Sequence, residues 1–255
     1  MSQTLDVEKL ERAVKNVYRD VAEAPDEEYH FEMGRPLAER LGYPSDDLDA
    51  IPQEAMESFA GVGYHFDLAD LEEGDAVLDL GSGAGTDVFV AALHVGDAGS
   101  VTGLDMTDQQ LEKARQLRDA AGFDNVSFEH GYIEDLPFDD ATFDVVISNG
   151  VINLSPDKEQ VFDEASRVLR PDGRLAISDI ISEKEMPESI KNNEDLWAAC
   201  IGGAEQVDRY TQTIESTGFE VSAVRDNAQY EFISDQAANA CQKYGVKSIS
   251  LGARR

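Results

Sequence analysis

The sequence predicts an α/β fold with a Rossmann-like core, in which helices flank a mostly parallel seven-stranded sheet. Three observations favour this fold. Short apolar segments alternate with amphipathic ones from residue 75 to residue 181, as is typical of parallel sheets covered on both faces. A glycine-rich turn, Gly81–Gly85, directly follows the first apolar segment. The acidic residue Asp105 ends the second segment, at the sheet edge where such folds bind ligands.

The spacing of apolar residues predicts each element of the core. The predicted strands are 76–80, 100–105, 126–130, 143–149 and 174–181, and the predicted helices are 86–95, 108–121 and 157–169. Thr107 is the expected N-cap of the middle helix, and the last helix should stop before Pro171. Beyond the core we expect a helix over 208–217, a strand over 219–225, a helix over 234–244 and a final antiparallel strand over 246–251.

The predicted organisation is a core domain with two coverings. Residues 1–73 form an N-terminal segment, with a helix over 5–20 followed by short helices and turns rich in proline and glycine. We expect this segment to cover the active site. Residues 74–255 form the core domain. Within it, residues 182–207 hold the single tryptophan, Trp197, and form a predicted small cap near the substrate.

The net charge of −31 comes from 52 acidic and 21 basic residues spread through every segment. Self-repulsion at this charge strains a compact fold in dilute buffer, whereas molar salt shortens the Debye length to about 3 Å. The pattern therefore favours a halophilic cytoplasm over an ordinary acidic cytosolic enzyme. It disfavours binding to nucleic acid or to an anionic membrane, because no basic patch is present to neutralise phosphates. No apolar segment predicts a membrane span or a secretory signal, which also favours the cytoplasm.

The cysteines and histidines do not predict a metal site. Cys200 and Cys241 have the spacing of neither a zinc knuckle nor a redox pair, so two buried thiols are the default interpretation. The histidines, which lack a partner at i, i+4, are His30, His65, His94 and His130.

The glycine-rich turn lies in the run VLDLGSGAGTD, residues 77–87. Glycines at a strand-to-helix turn let a ligand approach bare backbone, and the following helix offers N–H groups to an anionic group. A dinucleotide fingerprint would require glycine at position 86, which holds Thr86, and a phosphate-binding loop would require a Lys-Ser/Thr pair. The spacing, preceded by Asp79, suits a ligand with an ammonium and a carboxylate. A purely structural turn is the alternative.

Two further acidic positions complete the predicted site. Asp105 can accept both ribose hydroxyls of a nucleoside, although a carboxylate there could also serve the helix that follows Thr107. In GYIEDLPF, residues 131–138, Ile133 could pack on an adenine and Glu134 could accept its amino hydrogen bond. A solvated acidic loop is the alternative for this segment.

Residues 74–181 resemble the class I S-adenosylmethionine-dependent methyltransferases. The resemblance rests on VLDLGSGAGTD, GLDMT and GYIEDLPF in this order, and on the later runs FDVVISN and RVLRPDGRL. Within that family the chain is most similar to arsenite methyltransferases, through VISNGVINLSPDK at 146–158 and LWAACIGGA at 196–204. The resemblance extends from about Leu41 to about Val224.

The resemblance implies S-adenosylmethionine as cofactor and a small molecule as methyl acceptor. The implied cofactor-binding residues are Asp79, Gly81, Ser82, Gly83, Gly85, Asp105, Met106, Ile133, Glu134 and Asn149. No general base stands out in the sequence, which suits a soft nucleophile that needs no deprotonation, such as a thiolate or an arsenic(III) lone pair.

The acceptor is where the chain departs from the family it resembles. Arsenite methyltransferases usually carry cysteines where this chain has Val62 and Gly150, and only Cys200 matches a family cysteine. Cys200 is thus a candidate acceptor contact, or else a small buried side chain beside Trp197. Small-molecule thiols could replace the missing arsenic ligands. Two other functions stay open: a methyltransferase for a thiol or a quinone precursor, and an S-adenosylmethionine-binding protein without catalysis.

Overall fold

The computed structural model describes residues 6–25, 27, 29, 31–191, 196, 197, 201–233 and 235–255. The strands are β1 (Ala76–Leu80), β2 (Ser100–Asp105), β3 (Val126–His130), β4 (Phe143–Asn149), β5 (Leu169–Ser182), β6 (Glu205–Gln206), β7 (Glu220–Asp226) and β8 (Lys247–Arg254). The α-helices are α1 (Val7–Glu23), α2 (Arg35–Leu41), α3 (Ser45–Ala50), α4 (Gln53–Glu57), α5 (Phe66–Ala69), α6 (Thr86–Val95), α7 (Asp108–Ala121), α8 (Lys158–Val168), α9 (Glu188–Lys191), α10 (Val207–Ser216) and α11 (Asp235–Tyr244). Ile152–Leu154 form one 3-10 turn.

The strands form one sheet in the order β3-β2-β1-β4-β5-β8-β7. Strands β1 to β5 pair in parallel, and β8 lies antiparallel between β5 and β7. This confirms the predicted Rossmann-like fold. The sheet has an eighth strand, because the two residues of β6 pair with Ile181 and Ser182 of β5. A strand this short has no periodicity that the sequence could reveal.

The first strand shows why the sheet separates two hydrophobic layers. Side chains alternate across a strand, so Val77 packs in the layer beneath α6 and α7 while Leu78 and Leu80 pack in the layer beneath α8 and α10. Both layers exclude water, and β1 is therefore apolar on both faces. Asp79, at 2% exposure, is the charged exception within this strand.

The predicted boundary between α8 and β5 is wrong. The structure begins β5 at Leu169 and carries it through Pro171 and Gly173, whereas the sequence predicted a helix up to 169 and a strand from 174. Leu169 pairs with Phe143, and the register then shifts so that Arg174 pairs with Val145. The Pro-Asp-Gly run forms a bulge in a continuous strand and not a turn between two elements.

Helix α1 and the cap segment meet over the sheet. Asp6 caps α1 by accepting a hydrogen bond from the N–H of Lys9 at 3.1 Å. The buried face of α1 shares one hydrophobic cluster with the cap residues Trp197 and Ile201. The assignment of 1–73 and 182–207 as separate coverings stays a prediction. In the described part of the chain, no helix is both long and apolar enough to span a membrane.

Candidate active site

One cavity of about 380 Å³ lies at the carboxyl ends of β1, β2 and β4, where the strand order reverses. This is the position at which open α/β sheets bind ligands, and the volume is typical of small-molecule sites. Helix α1 closes one side with Leu10, Val14 and Tyr18, and the segment 58–61 closes another. The N-terminal segment thus supplies part of the cavity wall.

The glycine-rich turn between β1 and α6 forms the cavity floor. The N–H groups of Gly81 and Ser82 both donate to the carbonyl of Leu104, at 2.8 and 3.0 Å, which ties the turn to β2. Gly81 has φ +75°, and a Cβ atom there would lie 2.7 Å from Val151. Only glycine fits this combination of left-handed backbone and close approach.

All of the predicted cofactor residues except Gly85 line this cavity. Gly85 lies behind the turn, where its N–H donates to the carbonyl of Ser82 at 2.9 Å. Its φ is +96°, and a Cβ atom there would approach Phe128 to 2.8 Å. The structure therefore explains Gly85 by backbone conformation and packing. The roles of the lining residues in cofactor binding stay predictions.

Asp105 is oriented by backbone donors. Its Oδ2 accepts the N–H of Gly83 at 2.9 Å, and its Oδ1 accepts the N–H of Thr107 at 2.8 Å. Burial raises the pKa of this carboxyl, and the two N–H groups oppose the rise. The carboxylate joins the glycine-rich turn to the start of α7 and keeps lone pairs for a ligand. The Asp105 carboxylate therefore lies both at the start of α7 and in the cavity, the two positions that the sequence suggested for it.

Asp79, close to Asp105, accepts no comparable hydrogen bonds from the described residues. Within the described residues, no donor forms a hydrogen bond with its side chain, although it lines the cavity. Burial, with Asp87 and Asp105 nearby, raises the pKa of Asp79 well above its usual value. A cationic ligand group would relieve this unfavourable environment.

Asp87, Tyr43 and Asn149 form a buried hydrogen-bonded triangle next to Asp79. The hydroxyl of Tyr43 donates to Asp87 Oδ1 at 2.6 Å, and the amide of Asn149 donates to Asp87 Oδ2 and to Tyr43 Oη, both at 3.0 Å. Asn149 was predicted to bind cofactor, and its amide is used largely within the protein. Asp87 belongs to the quoted GSGAGTD run but received no role, and no local pattern pointed to Tyr43.

Another part of the cavity lining is less polar. Met106 and Ile133 line it together with Glu134, whose carboxylate accepts a short hydrogen bond from Ser155. This leaves part of the Glu134 carboxylate for a ligand amino group. Helix α1 is fastened to the same loop, because the hydroxyl of Tyr132 donates to Glu11 at 2.8 Å.

The two positions without family cysteines lie together. Gly150 lines the cavity, and a Cβ atom there would lie 3.2 Å from the side chain of Val62. Cys200, the predicted acceptor contact, lies outside the described residues. Cys241 is half-buried against the hydrophobic cluster that contains Val62, and burial raises the pKa of its thiol.

S-adenosylmethionine fits the chemistry of this cavity. Its sulfonium and ammonium groups are cationic, and Asp79, Asp87 and Asp105 give the floor a negative charge. In the described segments these carboxylates are not arranged with others as a metal-binding cluster. The apolar wall suits an adenine, and the lone pairs that remain on the oxygens of Asp105 suit the hydroxyls of a ribose.

A family model described as a methyltransferase domain matches residues 71–218. The chain belongs to this methyltransferase family. The match spans the sheet core, the glycine-rich turn and the cap, and it accounts for the cofactor class that the sequence predicted. The cofactor of the domain is S-adenosylmethionine, as the solved relative described next also indicates.

The methyltransferase domain is similar to arsenite methyltransferases. It is 40% identical to one from Halobacterium salinarum over 86% of this chain and 56% of that protein, and 35% identical to one from Mus musculus over 80% and 56%. The solved arsenic(III) S-adenosylmethionine methyltransferase from Chlamydomonas reinhardtii has a TM-score of 0.70 at 34% identity, over 82% of this chain and 72% of that one. The chain thus spans 56% of the length of the Halobacterium and Mus relatives. The predicted resemblance is confirmed.

Proposed function

We propose that this chain transfers a methyl group from S-adenosylmethionine to a small molecule, and that the acceptor is arsenic(III) bound to small thiols. The observation that carries methyl transfer is the acidic cavity at the switch point of the sheet, with Asp79 and Asp105 on its floor. The similarity to arsenite methyltransferases over most of the chain supports the acceptor.

The side chains of the cavity would hold and orient the two reactants. Asp105 would accept the ribose hydroxyls, Asp79 would receive the ammonium group, and Ile133 with Glu134 would hold the adenine. When bound, the cofactor supplies an electrophilic methyl group on a sulfonium. The main contribution of the protein is alignment of donor and acceptor in a site from which water is excluded.

The acceptor would enter at the end of the cavity formed by segment 58–61, Gly150, Val151 and Leu154, which we name the acceptor end. Its apolar side chains leave a nucleophile poorly hydrated. The lone pair of arsenic(III) would form a bond to the methyl carbon while the carbon–sulfur bond breaks and its electron pair stays on the sulfur of S-adenosylhomocysteine, so that arsenic becomes formally As(V). No proton is lost in this step, so this end needs no general base. A hydroxyl or amine acceptor would require one.

External thiols would complete the arsenic coordination. Val62 and Gly150 bring no sulfur to the acceptor end, and they are in contact with each other. Cys200 is proposed as the thiolate supplied by the protein. Arsenic carried by two small-molecule thiols would then meet one cysteine of the chain.

The proposal is tested with purified protein, S-adenosylmethionine, arsenite and excess thiol in molar KCl. We expect methylated arsenic, and Cys200→Ser should lower its rate far more than the matched change Cys241→Ser. Wild-type protein that binds S-adenosylhomocysteine tightly but makes no methylarsenic would refute arsenic(III) as the methyl acceptor. The same assay with thiols and quinone precursors alone would then test the second candidate, which the sulfur-free contact between Val62 and Gly150 favours.

The cellular setting is proposed from charge. A net charge of −31 suits a cytoplasm of high salt, where self-repulsion is screened. The same charge opposes association with phosphate-rich nucleic acid or anionic membranes. The partners we propose are therefore small molecules.

A further inference from the structure

Two buried carboxylates of the cavity have opposite surroundings. Asp87 accepts hydrogen bonds from the hydroxyl of Tyr43 at 2.6 Å and from the amide of Asn149 at 3.0 Å. Asp79 accepts none from the described residues, although it is 2% exposed. Hydrogen-bond donors stabilise an ionised carboxylate, and burial without donors destabilises one. Of the two, Asp79 is the carboxyl that holds a proton more tightly when the cavity has no ligand.

The charged groups around the pair reinforce this asymmetry. Asp79 on β1 experiences the negative charges of Asp87 on α6 and Asp105 on β2. Asp105 is itself stabilised by the N–H groups of Gly83 and Thr107. Because both neighbours have donors, a proton shared among the three carboxyls resides on Asp79.

Aromatic packing and hydrogen bonds hold the side chain of Tyr43 in place. Its ring is 3% exposed and lies edge-on to Phe59, Tyr64 and Phe66, with centroid separations of 5.1, 5.1 and 5.9 Å. Its oxygen accepts from Asn149 while its hydroxyl donates to Asp87. Among the described residues, the hydrogen bond that the Tyr43 hydroxyl donates is therefore to Asp87.

We propose that Tyr43 and Asn149 are positioning residues that keep the charge on Asp87, so that Asp79 releases a proton to solvent when the ammonium group of the cofactor binds. The ammonium keeps its own proton. One proton leaves the Asp79 carboxyl for the buffer, and the resulting carboxylate pairs with the cation. This inference rests on the proposed placement of that ammonium at Asp79.

The first test is the proton release of the wild-type protein. S-adenosylhomocysteine is titrated by calorimetry in molar KCl, in buffers of different ionisation enthalpy and over a series of pH values. We expect affinity to rise with pH by up to about tenfold per pH unit while Asp79 is protonated in the free protein. Asp79→Asn should bind more weakly at every pH and release no proton from this site.

The second test compares Tyr43→Phe with Tyr210→Phe. Both remove a buried hydroxyl that donates to an aspartate at 2.6 Å, but the partner of Tyr43, Asp87, lines the cavity, whereas the partner of Tyr210, Asp179, does not. In Tyr43→Phe the proton can move to Asp87 and stay there while the ammonium binds Asp79. Fewer protons should then be released per ligand, and the pH dependence of affinity should flatten. Tyr210→Phe should match the wild type.

The outcomes separate the two proposals. Wild-type protein that does not bind S-adenosylhomocysteine would refute the proposed cofactor site itself. Binding without proton release would overturn the present inference alone, and so would Tyr43→Phe with the same proton release as the wild type. If Tyr43→Phe does not fold, infrared difference spectra of the wild type still decide. A protonated carboxyl band should disappear on ligand binding, and it should be missing from Asp79→Asn.

Discussion

The side chain of Val62 lies directly over Gly150, so that a Cβ atom on Gly150 would approach Cγ1 of Val62 to 3.2 Å. The contact is fixed by the backbone, because the N–H of Val62 donates to the side chain of Asn149 at 2.8 Å. Residues from the segment before β1 and from the end of β4 thus meet beside the cavity. A thiol at position 150 would lie at the acceptor end, and a thiol at position 62 would lie directly behind it.

The two positions should respond differently to cysteine. Gly150 has φ +76°, and a left-handed backbone costs other residues about 1–2 kcal/mol. Val62→Cys removes about one methyl group from a buried site and should cost about 1 kcal/mol. We therefore expect thermal melts in molar KCl to show Gly150→Cys as the less stable variant.

Val62→Cys should also gain function if arsenic(III) is the acceptor. Its methylation rate at limiting external thiol should exceed that of the wild type, whereas Val62→Ala, a control for lost volume, should show no gain. Equal stability of the two cysteine variants would contradict the strain assigned to Gly150. A rate unchanged from that of Val62→Ala would speak against thiolate coordination at this end.

Asp79→Asn should exchange function for stability. The folded state raises the pKa of Asp79, so it binds the proton more tightly than the unfolded chain. The ionisable carboxyl therefore begins to destabilise the folded state as pH rises above the pKa of Asp79 in the unfolded chain. The loss of stability is complete above its pKa in the folded state. At neutral pH the free energy of unfolding of the variant should be about 1–3 kcal/mol higher than that of the wild type. Its binding of cofactor should be about 1.5–3 kcal/mol weaker.

Asp105→Asn is the matched comparison for that change. Its two oxygens accept the N–H groups of Gly83 and Thr107, and an amide retains only one oxygen for them. This variant should lose both stability and affinity in denaturant titrations and calorimetry. If Asp79→Asn is also destabilised at neutral pH, the account of Asp79 as a buried carboxyl without hydrogen-bond donors is wrong.

Salt should stabilise the folded protein. The charge of −31 has little compensation, since 21 basic residues face 52 acidic ones. Screening by KCl weakens this repulsion more in the compact state than in the expanded one. We expect the melting temperature to rise steadily from low salt to molar KCl. A flat profile over that range would remove the argument for a halophilic setting.

Titration of the Lys158 ammonium should make the stability of the protein change with pH in the alkaline range. Its ammonium donates to the carbonyls of Asn153 and Ser155 at 3.2 and 2.8 Å and lies 5.0 Å from the ring centroid of Trp197. Burial lowers the pKa of Lys158 to about 8. The unfolded chain then binds more protons between the two pKa values, so this residue makes stability rise with pH above about 8.

Comparison with Lys158→Met isolates that effect, because every other titrating group is common to both proteins. The unfolding free energy of the wild type, measured in denaturant, should increase relative to the variant as pH moves from about 8 towards the ordinary lysine pKa of about 10.4. A constant difference across this range would show that the ammonium is not buried as the structure has it.

The sequence by itself determined the core and the glycine-rich turn. Strand and helix periods are local, so apolar spacing was enough to locate β1 to β4 and helices α6 to α8 within a few residues. The left-handed glycines and the acid at the end of β2 are equally local, because a strand-to-helix turn fixes them with few neighbours. The bulge in β5 was not predicted, because a Pro-Asp-Gly run is equally compatible with a turn and with a bulge.

Only the tertiary structure decided what surrounds that turn. Tyr43 and Asn149 stand 106 residues apart and Tyr43 and Asp87 stand 44 apart, yet they form one hydrogen-bonded triangle. The contact of Val62 with Gly150 and the position of β8 between β5 and β7 are likewise long-range. Such pairings depend on how whole elements pack, which local periodicity does not record. The glycine-rich turn is therefore encoded by the local sequence, whereas the hydrogen bonds that Asp87 accepts come from residues distant in the chain.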